Sequence, residues 1–506
     1  MEKPNIIYIQ SDQHNPEIIG CAGDDIVETP NLDKLANSGT IITNAYAASP
    51  ICVPSRMSAI TGLNPCETEV WTNDQILNSA IPTYAHSLGA NKYNPVQVGR
   101  MHFNGSDQFH GFTERLVGDH GHNHLGSPRD AGTHGKLLGG TAGPNRISLK
   151  ESGIGQSAYQ VHDEIVSSEA VKYIDDIGKR DNNNPISLSI GLMLPHQPFI
   201  ASKEDYEKYA DKVGMPKNPA KPLDKCHPYI QWWRQQTGSE EVSKEEIIRC
   251  RIAYYALVDR MDKIIGDILD ALDRNGLMEN TMIVYTSDHG EQLGEHGLWW
   301  KQTFYENSVK VPAIISWPGH IPDKQILDTV INQYDLMATM LDASNSPELP
   351  RSNGKSLLKH LQDPIKNKWH NLAFSEYCMD DSSINNFSGN LMGNDIHAKE
   401  GGVQNRMVRK DNFKLIYYHG YDVELFDLEN DPDELNDLSK DNNYLNKKKE
   451  LLDLVLKNWD PKKIHKRMIV LKGEQKIQQD WAKNTDPEDT LRWNLDPAKD
   501  STRLDK

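Results

Sequence analysis

The sequence predicts an α/β protein with a mostly parallel central sheet covered by helices on both faces, followed by a smaller C-terminal α+β unit. Three observations point there. Four short apolar runs each end in polar, chemistry-bearing side chains. Stretches of helical period lie between them. After about Ser375 the pattern gives way to a hairpin, an acidic turn-rich stretch, a short helix and a charged tail.

The four runs come first because they place everything else. Ile6–Ile9 leads to Ser11-Asp12-Gln13-His14, and Pro95–Gly99 leads to Arg100-Met101-His102. Pro185–Leu192 leads to Pro195-His196-Gln197-Pro198, and Met282–Thr286 leads to Ser287-Asp288-His289-Gly290. Apolar runs of this length between turn residues read as buried strands of a parallel sheet. Open α/β sheets bind ligands beyond their strand C-termini, so four such ends feed one crevice. The clearest helix runs from about Lys244 to Leu272. It opens on a capping box, Ser243 to Glu246, and carries Leu257, Met261, Ile264, Ile268 and Leu272 at helical spacing, with Gly276 as its stop. Strands alternating with helices argue for the covered parallel sheet.

The expected division is a catalytic domain over 1–375 and a C-terminal subdomain over 376–506. In the latter, Phe413–Tyr418 and Val423–Leu428 form a hairpin around His419-Gly420-Tyr421, and a helix covers about Tyr444 to Asn458. In the charged tail Trp481 and Trp493 are isolated anchors. The tail packs over the surface or a neighbouring subunit, or is partly disordered.

Composition excludes several classes. A formal net charge of -17 argues against nucleic acid as a partner and requires any anion site to be locally basic. No apolar run approaches the ~20 residues that span a bilayer. The start, Met1-Glu2-Lys3-Pro4-Asn5, lacks the pattern of a secretory signal. The expected location is cytoplasmic as the chain stands, or periplasmic or secreted if a signal was removed. The six cysteines show neither regular spacing nor a CxxC pair. Cys21, Cys66, Cys226, Cys250 and Cys378 are expected to be buried thiols or to include one incidental pair.

Cys52-Val53-Pro54-Ser55-Arg56, followed by Thr61-Gly62, is the most informative stretch. A cysteine at a helix start beside an arginine suits a nucleophile. Asp12, Gln13, Asp288 and His289 bring two carboxylates, an amide oxygen and an imidazole to one point. Oxygen ligands suit Ca²⁺ or Mg²⁺, and the imidazole tilts toward Mn²⁺. Arg100, His102, His196 and Lys301 supply an anion clamp for a transition state that gathers charge on oxygen. His196 is the type of residue that protonates a leaving oxygen, and His102 one that assists breakdown of an intermediate. Asn73 is a candidate polar contact to substrate. His120, His122, His124 and His134 fall in a Gly-rich loop, 118–135, whose spacing fits no common zinc site and reads as a lid or substrate-contacting loop. Trp299-Trp300 line the pocket or pack in the core.

The spacing Cys-x-Pro-Ser-Arg-x-x-x-x-Thr-Gly resembles the activation signature of type I sulfatases of the alkaline phosphatase superfamily. The resemblance extends from Asn5 to the Glu424–Glu434 segment and includes Asp288-His289-Gly290 and Pro195-His196-x-Pro198. It implies an alkaline-phosphatase-like α/β/α sandwich. It implies that a formylglycine-generating enzyme oxidises Cys52 to formylglycine during maturation, and that one hydroxyl of the hydrated aldehyde attacks sulfur while the other later expels sulfate. Arg56 maps onto the supporting arginine, His102 and His196 onto sulfate-binding histidines, and Lys301 onto the active-site lysine. One divalent metal is implied, calcium first, with Mn²⁺ or Mg²⁺ as alternatives.

The chain departs from many members in having Asp12-Gln13 rather than two aspartates, and His289 rather than asparagine. These variants resemble the choline sulfatase and phosphonate monoester hydrolase branch. So does Gly99-Arg100-Met101-His102-Phe103-Asn104-Gly105, except that Arg100 replaces a lysine, which changes shape and reach. The expected activity is hydrolysis of a sulfate monoester, on a small sulfated saccharide. The alternatives are a choline sulfatase, a phosphonate or phosphate ester hydrolase using the same site and, last, an inactive binding homologue. A homo-oligomer is compatible with the sequence.

Overall fold

The computed structural model describes residues 3–121, 123–127, 138–179, 185–379, 402–493 and 496–505. Its largest sheet contains β1 (Asn5–Asp12), β2 (Thr40–Tyr46), β3 (Asn94–Gly99) and β4 (Glu114–Arg115). A small separate sheet uses β5 (Gly153–Gln156) and β7 (Ile200–Ala201). The large sheet continues through β6 (Ile186–Pro195), β8 (Thr281–Ser287), β9 (Lys310–Val311), β10 (Ala313–Ser316) and β11 (Gln325–Asn332). Its order is β11-β2-β10-β8-β1-β6-β3-β4, with β9 on β2.

The four runs expected as strands are therefore neighbours, β8-β1-β6-β3, and all pair in parallel. The register sets Ser11 beside Ser287, Asp12 beside Pro195 and Gly99 beside Gly191, so their C-terminal ends lie along one edge. The short antiparallel β10 beside β8 has no distinct signal in sequence.

Every residue of β6 and β8 is buried, as strands covered on both faces require. On one face Ile7 and Ile9 meet the helices Ala158–Gly178 and Lys244–Arg274; on the other Ile6 and Tyr8 meet Val53, Met57 and Ile60. Each fully buried aliphatic side chain contributes roughly 1.5–3 kcal/mol, so the two cores hold the sheet rigid beneath the strand ends. The helix Lys244–Arg274 carries the expected capping box and stops two residues before Gly276.

The second sheet is antiparallel: β12 (Leu372–Met379), β13 (Val403–Lys410), β14 (Phe413–Tyr418) and β15 (Glu424–Asp427) in that order. The change of character near Ser375 falls inside β12, and β14 and β15 form the hairpin read from sequence. The helix after it is Leu445–Val455, shorter than expected at both ends. Buried charge joins the two sheets. Lys414 Nζ donates to Phe304 O at 2.8 Å, to Glu306 Oε1 at 2.8 Å and to Glu434, while Arg409 pairs with Glu306 at 3.3 Å. Two cations thus meet two carboxylates, the condition for burying any of them cheaply.

Glu424 lies beside this network and accepts from Tyr418 Oη at 2.7 Å and Tyr305 Oη at 3.3 Å. Burial pushes its carboxyl up to about 7, with Asp437 adding to the rise. A raised carboxyl contributes stability below its ordinary value of 4.5, and this is lost as pH rises through 7. Glu424→Gln is therefore expected to gain stability relative to the parent as pH goes from 5 to 8, by about 2–3 kcal/mol. Urea unfolding of both proteins across that range checks it; a pH-independent difference contradicts it.

The described part of the tail contacts the body. The helix Pro461–Thr485 starts on an Asp460 cap, and Arg467 pairs with Glu69 at 2.7 Å. The short strand β16 (Arg503–Leu504) adds to β5. All six cysteines are free thiols, and Cys21, Cys66 and Cys226 are only partly buried, so the incidental pair is not formed. Among the described residues no helix is long and apolar enough to cross a membrane.

Candidate active site

Cys52 is the first residue of the helix Cys52–Thr61, whose N-terminus points at the strand ends. Its Sγ lies 3.0 Å from Lys301 Nζ, 3.2 Å from His289 Nε2 and 3.7 Å from Asp12 Oδ1. Asp12, Cys52, Asp288 and His289 each offer a ligand atom, and these atoms lie within 4.8 Å of one another. Among the described residues theirs is the one such group. The end of β1 and the 288–301 stretch thus converge on the Cys52 sulfur.

Arg56 sits one helical turn below Cys52 and faces the carboxylates. Its five N–H groups are all used: Nε to Asp288 Oδ2 at 2.8 Å, and the two terminal nitrogens to Asp12 Oδ2, Ser11 O, Gln10 Oε1 and Arg100 O, each at 3.2 Å. The planar fork therefore fixes both acids, a task its geometry suits. Burial alone would raise the Asp12 carboxyl, but Arg100, with His196, Lys301 and Arg56, holds it well below the ordinary range.

The fit of a divalent cation can be read from the donors. The Gln13 backbone is left-handed (φ 65°) and its N–H donates to Asp288 Oδ1 at 3.1 Å. Its Nε2 donates to Gln197 Oε1 at 2.6 Å and to Glu291, so the amide orientation is set, and Oε1 is left buried with no hydrogen-bond partner. An orphaned buried carbonyl oxygen, on a residue whose backbone N–H is bonded to Asp288, is what a hard cation would satisfy. His289 Nδ1 faces Gly290 O at 3.1 Å and so carries the proton, leaving the Nε2 lone pair among Asp12, Asp288 and Cys52. Burial pushes this imidazole down to about 4, keeping it a neutral ligand. Asp12, Gln13, Asp288 and His289 fit a divalent metal.

The other side of Cys52 is cationic. Lys301 Nζ reaches His196 Nε2 at 2.9 Å as well as Cys52. His196 Nδ1 is committed to Gln197 O, so Nε2 accepts from the ammonium; burial, then Lys301, pushes the ring down to about 4. Arg100 Nε meets Asp12 Oδ2 at 2.5 Å, and its terminal nitrogens meet His102 Nδ1 at 2.9 Å and Asp119 Oδ1 at 3.3 Å. The end of β3 can approach β6 this closely because residue 191 is glycine: a Cβ there would lie 1.6 Å from Arg100 O. His102 is held in a left-handed conformation (φ 62°) by its N–H on Asp119 Oδ2 at 2.7 Å. Burial, then Arg100, keeps its imidazole well below its ordinary pKa. Three carboxylates, Asp12, Asp119 and Asp288, face three cations, Arg56, Arg100 and Lys301, so an added divalent ion would leave the site positive for an anionic ester.

Asn73 stands beside Cys52, but its Oδ1 accepts from Val53 N at 3.0 Å, so its carbonyl end positions the helix start. His120 belongs to the site's rim, bonded to Asp119 at 2.8 Å and to Tyr159 Oη at 3.2 Å. His124 packs against Trp481, whereas His122 and His134 lie outside the described residues. Trp299 and Trp300 are fully buried core residues; Trp300 Nε1 donates to Ser148 Oγ at 3.1 Å.

Sequence reasoning missed four groups. Asp119 holds Arg100, His102 and His120. Glu291 pins Gln13 and, through Oε1 to Leu293 N and Trp300 N at 2.7 and 2.6 Å, shapes the loop that returns Lys301 to the site. Gln197 orients Gln13. Ser55 Oγ donates to Asp288 O at 2.5 Å. Gln197 and Glu291 had a cue as the next polar residues past a strand end, and Ser55 as a member of the Cys52–Arg56 motif; Asp119 had none.

The fold and this arrangement define an α/β protein in which one cysteine lies among clustered carboxylate, imidazole and cationic side chains. The sulfatase family model matches residues 4–346, and the chain belongs to the sulfatase family. A choline-sulfatase of Rhizobium meliloti (strain 1021) is 30% identical over 448 residues, covering 87% of this chain and 83% of that protein. Arylsulfatase K of Homo sapiens is 27% identical, covering 86% of this chain and 79% of its own length. The crystal structure of phosphonate monoester hydrolase of Agrobacterium radiobacter has the same fold, with a TM-score of 0.74 at 21% identity and coverage of 90% of this chain and 95% of that one. The protein is a sulfuric ester hydrolase.

Proposed function

We propose that the protein hydrolyses a sulfate monoester of a sulfated saccharide, with Cys52 as formylglycine and a calcium ion held by Asp12, Gln13, Asp288 and His289. The observation that carries the reading is Cys52 Sγ at the point where those ligands meet Lys301. When present, formylglycine supplies a hydrated aldehyde, one hydroxyl attacking sulfur and the other expelling sulfate, without attack by free water on sulfur. A metal held by Asp12, Gln13, Asp288 and His289 would supply Lewis-acid polarisation of a sulfate oxygen.

The chain's own groups do the rest. Arg56 holds Asp12 and Asp288 in place. Arg100 and His102 receive non-bridging oxygens. Lys301, donating into His196 Nε2, forms a proton-sharing pair that can neutralise charge on the leaving oxygen. The Asn73 Nδ2 group, whose amide is oriented by Val53 N on Oδ1, suits a hydroxyl-bearing substrate. Chelation is expected to abolish activity with recovery on adding Ca²⁺, and Asp288→Asn, which removes a charged ligand, to weaken metal binding; activity unaffected by chelation contradicts the metal.

A choline ester is the second reading, favoured by the 30% identity to a choline-sulfatase and by the rings of His120 and Tyr159, 5.1 Å apart, beside the site. Initial rates on defined sulfated mono- and disaccharides, choline sulfate, and aryl sulfate and phosphonate esters decide. Preference for choline sulfate or the phosphonate overturns the saccharide assignment.

A further inference from the structure

Trp493 lies far along the chain from every residue of the site, yet it joins two of the loops that build it. It is buried, on a tail otherwise largely exposed. Its backbone N–H donates to Asp119 O at 2.9 Å, and residues 492 and 119 form a β-bridge. Its indole ring packs edge-on against His162, with ring centres 5.1 Å apart.

Each contact starts a chain of bonds to a catalytic group. Through Asp119 it reaches Arg100, His120 and the strained His102 N–H. Through His162 it reaches Asp163 at 2.9 Å, whose carboxylate accepts from Met193 N at 2.9 Å and Leu194 N at 2.8 Å, the two residues that lead into Pro195 and His196. His162 Nε2 also bonds Gly118 O at 3.1 Å, so the two chains meet again under the indole. The segment before Trp493 closes the joint: Asp489 Oδ1 accepts from Asn123 N at 3.2 Å. Gly118 leaves room for Leu491, since a Cβ there would lie 1.7 Å from Leu491 O.

We propose that Trp493 is a positioning residue, which latches the Gly118–His120 segment and the end of β6 together and so sets the spacing of Arg100 and His102 relative to His196. The inference rests on the reading of Arg100, His102 and His196 as the sulfate-binding side. Pre-organised groups of this kind must be held by the shell behind them, and a displacement of about 1 Å can cost about a hundredfold in rate. Trp493 touches no reacting atom and acts through Asp119 and Asp163.

The test uses the full-length protein with 4-nitrophenyl sulfate as substrate and inorganic sulfate as competitive inhibitor. Trp493→Ala is expected to raise the inhibition constant for sulfate about tenfold and to lower kcat/KM about ten- to a hundredfold. Trp493→Phe, which keeps a ring against His162, recovers most of both. Trp481→Ala, on the same tail against His124, changes neither. Gly118→Ala, whose Cβ would press on Leu491 O and on the Arg492 carbonyl carbon, displaces the backbone that carries Trp493 while keeping its ring, weakens sulfate in the same direction and serves if Trp493→Ala does not fold. A lowered unfolding temperature with sulfate inhibition within about twofold of the parent, in either variant, overturns the proposal by making Trp493 an ordinary anchor. Arg100→Ala separates the two readings. If it leaves sulfate inhibition unchanged, the assignment of the sulfate-binding side fails; if it weakens sulfate while Trp493→Ala does not, only the latch fails.

Discussion

Cys52→Ala abolishes turnover of sulfate esters, by a factor on the order of 10⁶, while the protein stays folded. The size follows from the role: no other described side chain occupies the point where the Asp12, Asp288 and His289 ligand atoms meet Lys301 Nζ. The fold survives because little is removed. The Val53, Met57 and Ile60 side chains that bind this helix to the sheet are untouched, and Lys301 keeps His196 as a partner. A loss of about 1 kcal/mol is expected from the vacated contact. Steady-state rates and thermal unfolding of the purified variant measure both parts. Retained turnover refutes the assignment of the nucleophile.

Arg56→Ala is expected to be the most damaging substitution for stability, at about 3–5 kcal/mol, and to reduce kcat severely as well. The fully buried guanidinium neutralises Asp12 and Asp288, and all five of its N–H groups are bonded. Its removal leaves two buried carboxylates short of a counter-charge and three buried oxygens, on Ser11, Gln10 and Arg100, short of a donor. Arg56→Lys restores the charge but not the fork, so it recovers only part of either loss. Urea unfolding and kcat of the two variants check this. An alanine variant with parental stability contradicts the view that Arg56 supports the acids.

Much of this was legible in the sequence because parallel strands buried on both faces leave continuous apolar runs, and the residues just past them mark the functional edge. Asp12, Arg100, His196 and Asp288 were readable in that way. What periodicity does not carry is which strands are neighbours. The adjacency of β8, β1, β6 and β3 makes four separate signals one site, and it appears only in the pairing. The groups that sequence reasoning missed act through bonds that impose no spacing. Asp119 reaches a backbone N–H and two side chains from a loop, and Glu291 grips two backbone N–H groups. Trp493 was visible as an isolated aromatic, but its contacts with Asp119 and His162 cross more than three hundred residues of chain.

The mass of the peptide containing Cys52, taken from protein purified from its native host, tests the central claim most directly. A mass lower than the unmodified peptide by the thiol-to-aldehyde difference, in proportion to specific activity, is the predicted result. Fully unmodified cysteine in an active preparation would contradict it.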